Sequence, residues 1–312
     1  MLDFSNSKIL IVGDVMLDKY YFGKVDRISP EAPVPIVNIQ KEESRLGGAS
    51  NVANNIVSLG GHSLLCGVIG HDLFGKEIER ISRHKNIDTF LLKTSSPTIT
   101  KARIIGGKQQ IVRVDYEDKS ELNADNKKLF RDTISRILPE YDILVISDYG
   151  KGLISEDLCR YLIKLAHKYD KKVIIDPKGK NWEKYSGADI VTPNVKELSD
   201  IVGYTVPNTD RAIEKAAREA ITNNHLTALL VTRSDKGMSL IGPIPPIHIP
   251  THSEEVFDVS GAGGTVVATL GLCLAAGFEI SEAMRTANIA AGIVVKKIGT
   301  ATLTIEELVQ QK

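Results

Sequence analysis

Five short apolar runs, each closed by an aspartate or a threonine, recur along the chain at 8–14, 143–148, 173–176, 190–192 and 229–232. Uninterrupted apolar runs of this length do not alternate with polar residues, so they predict strands covered on both faces, each delivering a polar side chain at its carboxyl end. Between and around them, apolar residues return at helical spacing in 50–59, 73–84, 126–137, 156–167, 211–222, 265–276 and 282–296. Strands alternating with helices predict an α/β fold built on a doubly wound, mostly parallel sheet with helices on both faces. Ligands of such sheets bind beyond the carboxyl ends of the strands. The recurring Asp and Thr residues therefore stand where a site belongs.

Two segments break the alternation. Residues 20–40 are rich in Pro, Gly and β-branched residues, and 98–115 alternates polar with apolar around Gly106-Gly107, a hairpin signal. Together they predict a small β-sheet projecting from the main body, a lid or dimer surface spanning about 15–45 and 97–115. Pro243, Pro245, Pro246 and Pro250 read as a rigid connection and not as a linker, and there is no internal repeat, so residues 1–312 are expected to form one domain.

Lys plus Arg equals Asp plus Glu at 39 each, which removes the sequence-independent attraction that nucleic-acid binding relies on, so no nucleic-acid partner is expected. Cys66, Cys159 and Cys273 are few, scattered and set among apolar neighbours, which fits buried thiols and a reducing compartment. The seven histidines, His62, His71, His84, His167, His225, His248 and His252, form no spaced cluster, so no transition-metal site is expected. With neither a leader-like apolar segment nor a run long enough to span a bilayer, a cytoplasmic location with no membrane partner is expected. Trp182 is read as packing rather than as a base-stacking platform.

The most informative motif is Asp258-Val259-Ser260-Gly261-Ala262-Gly263-Gly264, with a helix expected to start at Thr265. Small residues let the backbone approach a ligand, and a helix start presents free N–H groups and the positive end of its dipole, which suits an anion. No Lys follows, so this is not a Walker loop; nor is it a dinucleotide fingerprint, and the first strand ends in Gly-Asp, against a Rossmann dehydrogenase.

This run resembles the signature of the ribokinase/PfkB sugar kinases, D-T/S-x-G-A-G-D, departing from it at the last position. Gly47-Gly48-Ala49-Ser50-Asn51-Val52-Ala53 resembles the family's second signature, about two hundred residues upstream. Gly13-Asp14-Val15-Met16-Leu17-Asp18, Pro97-Thr98-Ile99-Thr100-Lys101, Ser147-Asp148-Tyr149-Gly150-Lys151-Gly152, Asp176-Pro177-Lys178-Gly179 and Thr192-Pro193-Asn194 are similar to the heptose-7-phosphate kinases, the kinase half of a bifunctional heptose kinase/adenylyltransferase. The resemblance implies a ribokinase-like fold and transfer of the ATP γ-phosphate to O1 of D-glycero-β-D-manno-heptose 7-phosphate, toward ADP-heptose and lipopolysaccharide core. No nucleotidyltransferase motif follows, so the kinase half alone is expected.

The resemblance also implies roles. Gly261, Ala262 and Gly263 form the anion hole, and Gly264 occupies the position of the family's aspartate base, so an inactive or strongly impaired enzyme is expected. Either an introduced substitution or a natural loss produces this pattern; the intact flanking motifs favour the first. Asp14, Asp18, Gly47, Gly48 and Asn51 are implied on the sugar, with strand-end and helix capping as their plainer reading. Arg113, Lys151 and Lys178 are candidates for the 7-phosphate, since a dianion attracts Arg and Lys. Asn194, Thr232, Arg233, Ser234, Gly237, Asp258, Ser260 and Asn288 are implied on the nucleotide, and Glu197 on Mg²⁺. ATP and Mg²⁺ are the expected cofactors and a homodimer the expected assembly. Another ribokinase-family substrate, or a non-catalytic sensor of nucleotide or sugar phosphate, remains open at this point.

Overall fold

A computed structural model describes residues 2–107, 109–251 and 256–311; His252 of the histidine set lies outside them. The first half of the chain runs β1 (Lys8–Gly13), β2 (Val15–Ile28), β3 (Pro35–Gly48), α1 (Ala49–Ser58), β4 (His62–Gly70), α2 (Leu73–His84), β5 (Asp88–Thr94), β6 (Thr100–Gly106), β7 (Gln109–Tyr116) and α3 (Ala124–Ile137). The second runs β8 (Ile143–Ser147), α4 (Glu156–Lys168), β9 (Lys172–Asp176), β10 (Ile190–Val191), α5 (Val195–Val202), α6 (Asp210–Asn224), β11 (Leu229–Thr232), β12 (Met238–Ile241), β13 (Ile247–Ile249), α7 (Ala262–Ala275), α8 (Ile280–Val294) and α9 (Ile305–Gln311).

Nine strands form one sheet in the order β13-β12-β11-β10-β9-β8-β1-β4-β5. Pairing is parallel from β11 through β5 and antiparallel at the β11-β12-β13 edge. The apolar runs sort their side chains by parity, as a strand must. Ile9 and Ile11 join one buried cluster with α1, α7 and α8, while Leu10 and Val12 join the other with α3, α4 and α6. Helices thus cover both faces, as the alternation predicts. Helix α7 is buried along its whole middle, Gly264 to Cys273, because it has no polar face to offer water.

The second sheet, β3-β2-β6-β7, is the projecting unit that the irregular segments predict. Chain direction fixes its base. Strand β2 starts only one residue after β1 ends, and β3 runs directly into α1, so both lid strands are rooted at the carboxyl end of the main sheet.

Three local expectations are corrected. The proline segment does more than connect: between Pro246 and Pro250 it carries β13, the edge strand beside β12. Helix α7 begins at Ala262 rather than Thr265, because Gly261 takes a left-handed conformation (φ 85°) that lets it cap the helix, so Gly263 and Gly264 lie in its first turn. Two short helices, α5 and α9, and the strands β4, β5, β12 and β13 fall in stretches with no distinctive period. The three cysteines are buried and in no disulfide among the described residues, Trp182 is fully buried against Tyr185, and no helix among the described residues is long and apolar enough to cross a membrane.

Candidate active site

Strand β1 approaches β8 so closely that a Cβ on Gly13 would lie 2.2 Å from the Ser147 carbonyl oxygen, so only glycine fits. The next residue, Asp14, is delivered at the sheet's carboxyl edge, where its Oδ2 accepts hydrogen bonds from the backbone N–H groups of Tyr149 (2.8 Å) and Lys151 (3.1 Å). Asp14 is 2% exposed, and burial, helped by nearby Asp148, pushes its carboxyl up to about 6. Asp18 lies four residues along on β2, equally buried, in an ion pair with Arg103 of β6 (2.6 Å).

Gly47 and Gly48 let these aspartates sit against the start of α1. Added Cβ atoms would fall 2.4 Å from the Asp18 carboxylate and 2.5 Å from the Asp14 carbonyl oxygen, and Gly48 has φ 55°. One turn on, the buried Asn51 directs Nδ2 toward the start of α7, where Cβ atoms on Gly261 and Gly264 would stand 2.9 and 3.4 Å away. Thr265 Oγ1 and Asn55 Oδ1 add a contact of 3.3 Å between the same helices. The first turns of α1 and α7 therefore abut, bringing together the two glycine-rich motifs that are so far apart in sequence.

At the α7 start, Gly263 is exposed and a Cβ there would meet nothing within 4 Å, so its flank is open. The helix start combines free N–H groups with the positive dipole end, the arrangement that stabilises phosphoryl charge. Asp258 braces it: its Oδ1 accepts from Ser260 N and its Oδ2 from Gly299 N, both at 2.8 Å. Although burial alone would raise the Asp258 carboxyl, those bonds hold it below the usual range. Gly264 has no side chain to take a proton, yet the space beside it accepts one, since the contacts at 3.4 Å are with Asn51 Nδ2 and Val52 Cγ2 only.

The nucleotide-side candidates spread along β10 to β12. Asn194 caps α5 in a reciprocal capping box with Glu197 and bridges to Thr232 at the end of β11. Arg233 is 3% exposed and its guanidinium is occupied by Asp210 (2.6 Å), Ser239 (2.9 Å) and Asn208 (2.9 Å), so it holds the scaffold together. Ser234 opens a single turn of 3₁₀ helix, and Gly237 takes φ 76° where a Cβ would lie 2.0 Å from the Ile249 carbonyl oxygen. Asn288 donates to the Pro250 carbonyl oxygen (2.7 Å), fastening the exit of β13 to α8.

Of the three cations assigned to a phosphate, Arg113 and Lys151 stand near each other around Lys101 and Asp115, while Lys178 is drawn to the nucleotide side. Arg113 lies on β7 in a two-pronged pair with Asp115 (2.7 and 2.9 Å), Lys151 pairs with Glu117, and Lys178 pairs with Glu197 (2.9 Å) on the nucleotide side. Lys178 and Glu197 stand beside Asp176, whose carboxyl is pushed up to about 7 by burial and then by Glu197. Crowded carboxylates at strand ends suit a divalent cation. No group of three or more ligating side chains is found among the described residues. Sequence reasoning overlooks Arg103, the partner of Asp18, and Arg45, which donates to the Ile298 carbonyl oxygen and so joins the lid to the Asp258 side. The signal for Arg103 was its parity with Lys101 on a strand registered against β2. Next to Asp14 and Lys151, between Ser96 and Asn123, opens a cavity of about 590 Å³.

A doubly wound sheet with a β-lid over its carboxyl edge, and a helix-borne anion hole facing buried aspartates, is the layout of a ribokinase-like carbohydrate kinase. The pfkB family carbohydrate kinase model matches residues 6–307, and the chain belongs to that family. It is 46% identical over 308 residues to the Bifunctional protein HldE of Haemophilus influenzae (strain PittEE) and 45% identical over 310 residues to that of Vibrio vulnificus (strain YJ016). These alignments cover 98% and 99% of the chain but 63% and 64% of the relatives, so the chain spans about two-thirds of their length or slightly less. Among solved structures, phosphofructokinase-2 from Escherichia coli in complex with potassium superposes with TM-score 0.79 at 20% identity, covering 97% of both chains. Arabidopsis thaliana ribokinase complexed with ribose and ATP does so with TM-score 0.76 at 19% identity, covering 98% of both. At such identities these two establish the fold alone.

Proposed function

We propose that this chain is the kinase unit, 1–312, of heptose 7-phosphate metabolism, binding ATP with Mg²⁺ and D-glycero-β-D-manno-heptose 7-phosphate for transfer of the γ-phosphate to O1. The observation that carries the reading is the meeting of Asp14, Asn51 and the α7 start, in a chain nearly half identical to the HldE relatives throughout its length. In this reading the sugar hydroxyls bond to Asp14 and Asp18, with Gly47 and Gly48 giving the ring room against α1. The N–H group of Gly263, together with the positive end of the α7 dipole, holds the transferred phosphoryl group, while the Ala262 N–H donates to the Val259 carbonyl oxygen (3.2 Å). Glu197 holds Mg²⁺ through its waters, and the ion supplies charge neutralisation at the phosphates.

The attacking hydroxyl must lose its proton as the new P–O bond forms. In a chain with Gly264 no side chain receives it, and Asp258 is engaged with Ser260 and Gly299, so the reading includes severe impairment. Gly264→Asp is expected to raise ATP turnover with heptose 7-phosphate by ~10²–10⁴-fold, the range of a general base. A larger gain with another sugar or sugar phosphate in a coupled ADP assay would overturn the substrate. If the variant gains no turnover with any sugar while the chain still binds ADP, the reading as a non-catalytic binding module takes its place.

A further inference from the structure

Lys101 is the feature that neither the scaffold nor the predicted site absorbs. Register across the lid pairs it with Asp18 on β2 and Asp115 on β7, and places Arg103 opposite Arg113. The Arg103–Asp18 and Arg113–Asp115 pairs are on the lid face that looks over the Asp14 edge. Each guanidinium has its own carboxylate, and Lys151 has Glu117. Lys101 has none: among the described residues its ammonium makes no ion pair or hydrogen bond, and its marked neighbour is the ring of Tyr149, 5.9 Å away. The side chain is half-buried, so water does not fully replace the missing partner. Burial, together with Lys151, Arg113 and Arg103 and against the pull of Asp18, lowers the basicity of this amine. Four cations thus face three carboxylates, and the uncompensated charge is on Lys101.

The location gives that charge a purpose. Lys151, one of the flanking cations, donates its backbone N–H to Asp14, and Lys101 is in register with Asp18, so the cationic group stands beside both aspartates proposed to hold the sugar. Lys178 is not part of this group, because it is held by Glu197. We propose that Lys101, flanked by Arg113 and Lys151, binds the phosphate monoester that the sugar carries away from its reacting hydroxyl, and so selects phosphorylated over unphosphorylated sugars. The inference rests on the sugar-phosphate reading above.

The experiment is calorimetry on the full chain as it stands, where Gly264 allows binding to be measured without turnover. The probes are ADP, heptose 7-phosphate and unphosphorylated heptose, and the variants are Lys101→Met and Lys101→Arg. Lys101→Met is expected to weaken heptose 7-phosphate ~10–100-fold, the worth of a charge-assisted hydrogen bond, and to leave ADP and the unphosphorylated sugar within twofold. Lys101→Arg is expected to recover most of the loss. An unchanged ADP affinity shows that the variant is folded; if Lys101→Met does not fold, Lys101→Gln serves. Equal weakening of both sugars, or no weakening of either, overturns the proposal. If the parent chain ignores heptose 7-phosphate but binds another sugar phosphate, and Lys101→Met abolishes that binding, the heptose assignment fails and the role of Lys101 stands. If the parent binds no phosphorylated sugar, both fall.

Discussion

In the proposed reading Asp14 is the residue that holds the sugar most directly, and its chemistry is set by what surrounds it. Two backbone N–H groups hold one oxygen, yet burial and Asp148 make the ionised form costly, raising its carboxyl to about 6 from an ordinary 3.8. A raised carboxyl is protonated below about pH 6 and charged above it. A sugar hydroxyl donating to Asp14 favours the charged form, so sugar-phosphate affinity is expected to fall as pH drops through 6. Binding near pH 6 is also expected to release up to one proton. Calorimetry in buffers of different ionisation heat reads that release directly. Asp14→Asn should abolish it, which separates Asp14 from Asp176, whose carboxyl is raised to about 7.

At the scale of elements, the site is made by two helix starts, and each depends on a glycine that the backbone cannot replace. Gly48 precedes α1 with φ 55°, and a Cβ there would be 2.5 Å from the Asp14 carbonyl oxygen and 2.7 Å from Met16 Cε. Gly48→Ala is therefore expected to cost at least ~1–2 kcal/mol of stability, seen as a lower thermal midpoint, and to weaken sugar binding more than ADP binding. Gly60→Ala, at a positive φ but with nothing within 4 Å, is the control for conformational strain without a clash. These helix starts also show what a sequence can disclose. Buried parallel strands announce themselves because uninterrupted apolar runs such as 9–13 have few other uses, and the glycine-rich start of α7 is legible because it is contiguous. Strand β4, His62 to Gly70, carries Ser63 and two glycines and so lacks a clean run, while α5 is too short to show a period. Roles set by long-range partners were hidden: Arg233 looks like a phosphate ligand until Asn208, Asp210 and Ser239 are seen to enclose it, and nothing local distinguishes paired Lys151 from unpaired Lys101.

Across the whole molecule, the lid carries apolar side chains that the main body does not cover. Val25, Ile28, Val34, Ile39, Val112 and Val114 are between 39% and 62% exposed, on a sheet that has room for a partner. A second copy of the chain is the proposed occupant, since a closed pair of lids would bury these residues against their equivalents. Sedimentation of the chain should show a dimer, and Ile28→Asp with Val34→Asp should give a folded monomer; a parent chain that sediments as a monomer at micromolar concentration refutes the pairing.

The strand order has another result, which concerns the time at which this molecule comes into being. Strand β1 precedes both of its neighbours in the chain but belongs between them, β4 on one side and β8 on the other, with Ile9 opposite both Ser63 and Ile143. One neighbour begins at His62, the other only at Ile143. Until then the first strand has an open side, and Asp14 lacks the Tyr149 and Lys151 N–H groups that hold it. The anion hole comes later still, on α7. During synthesis the sheet thus stays unsealed until β8 has emerged, when assistance by chaperones would matter most, and the candidate site is complete only once α7 has been made.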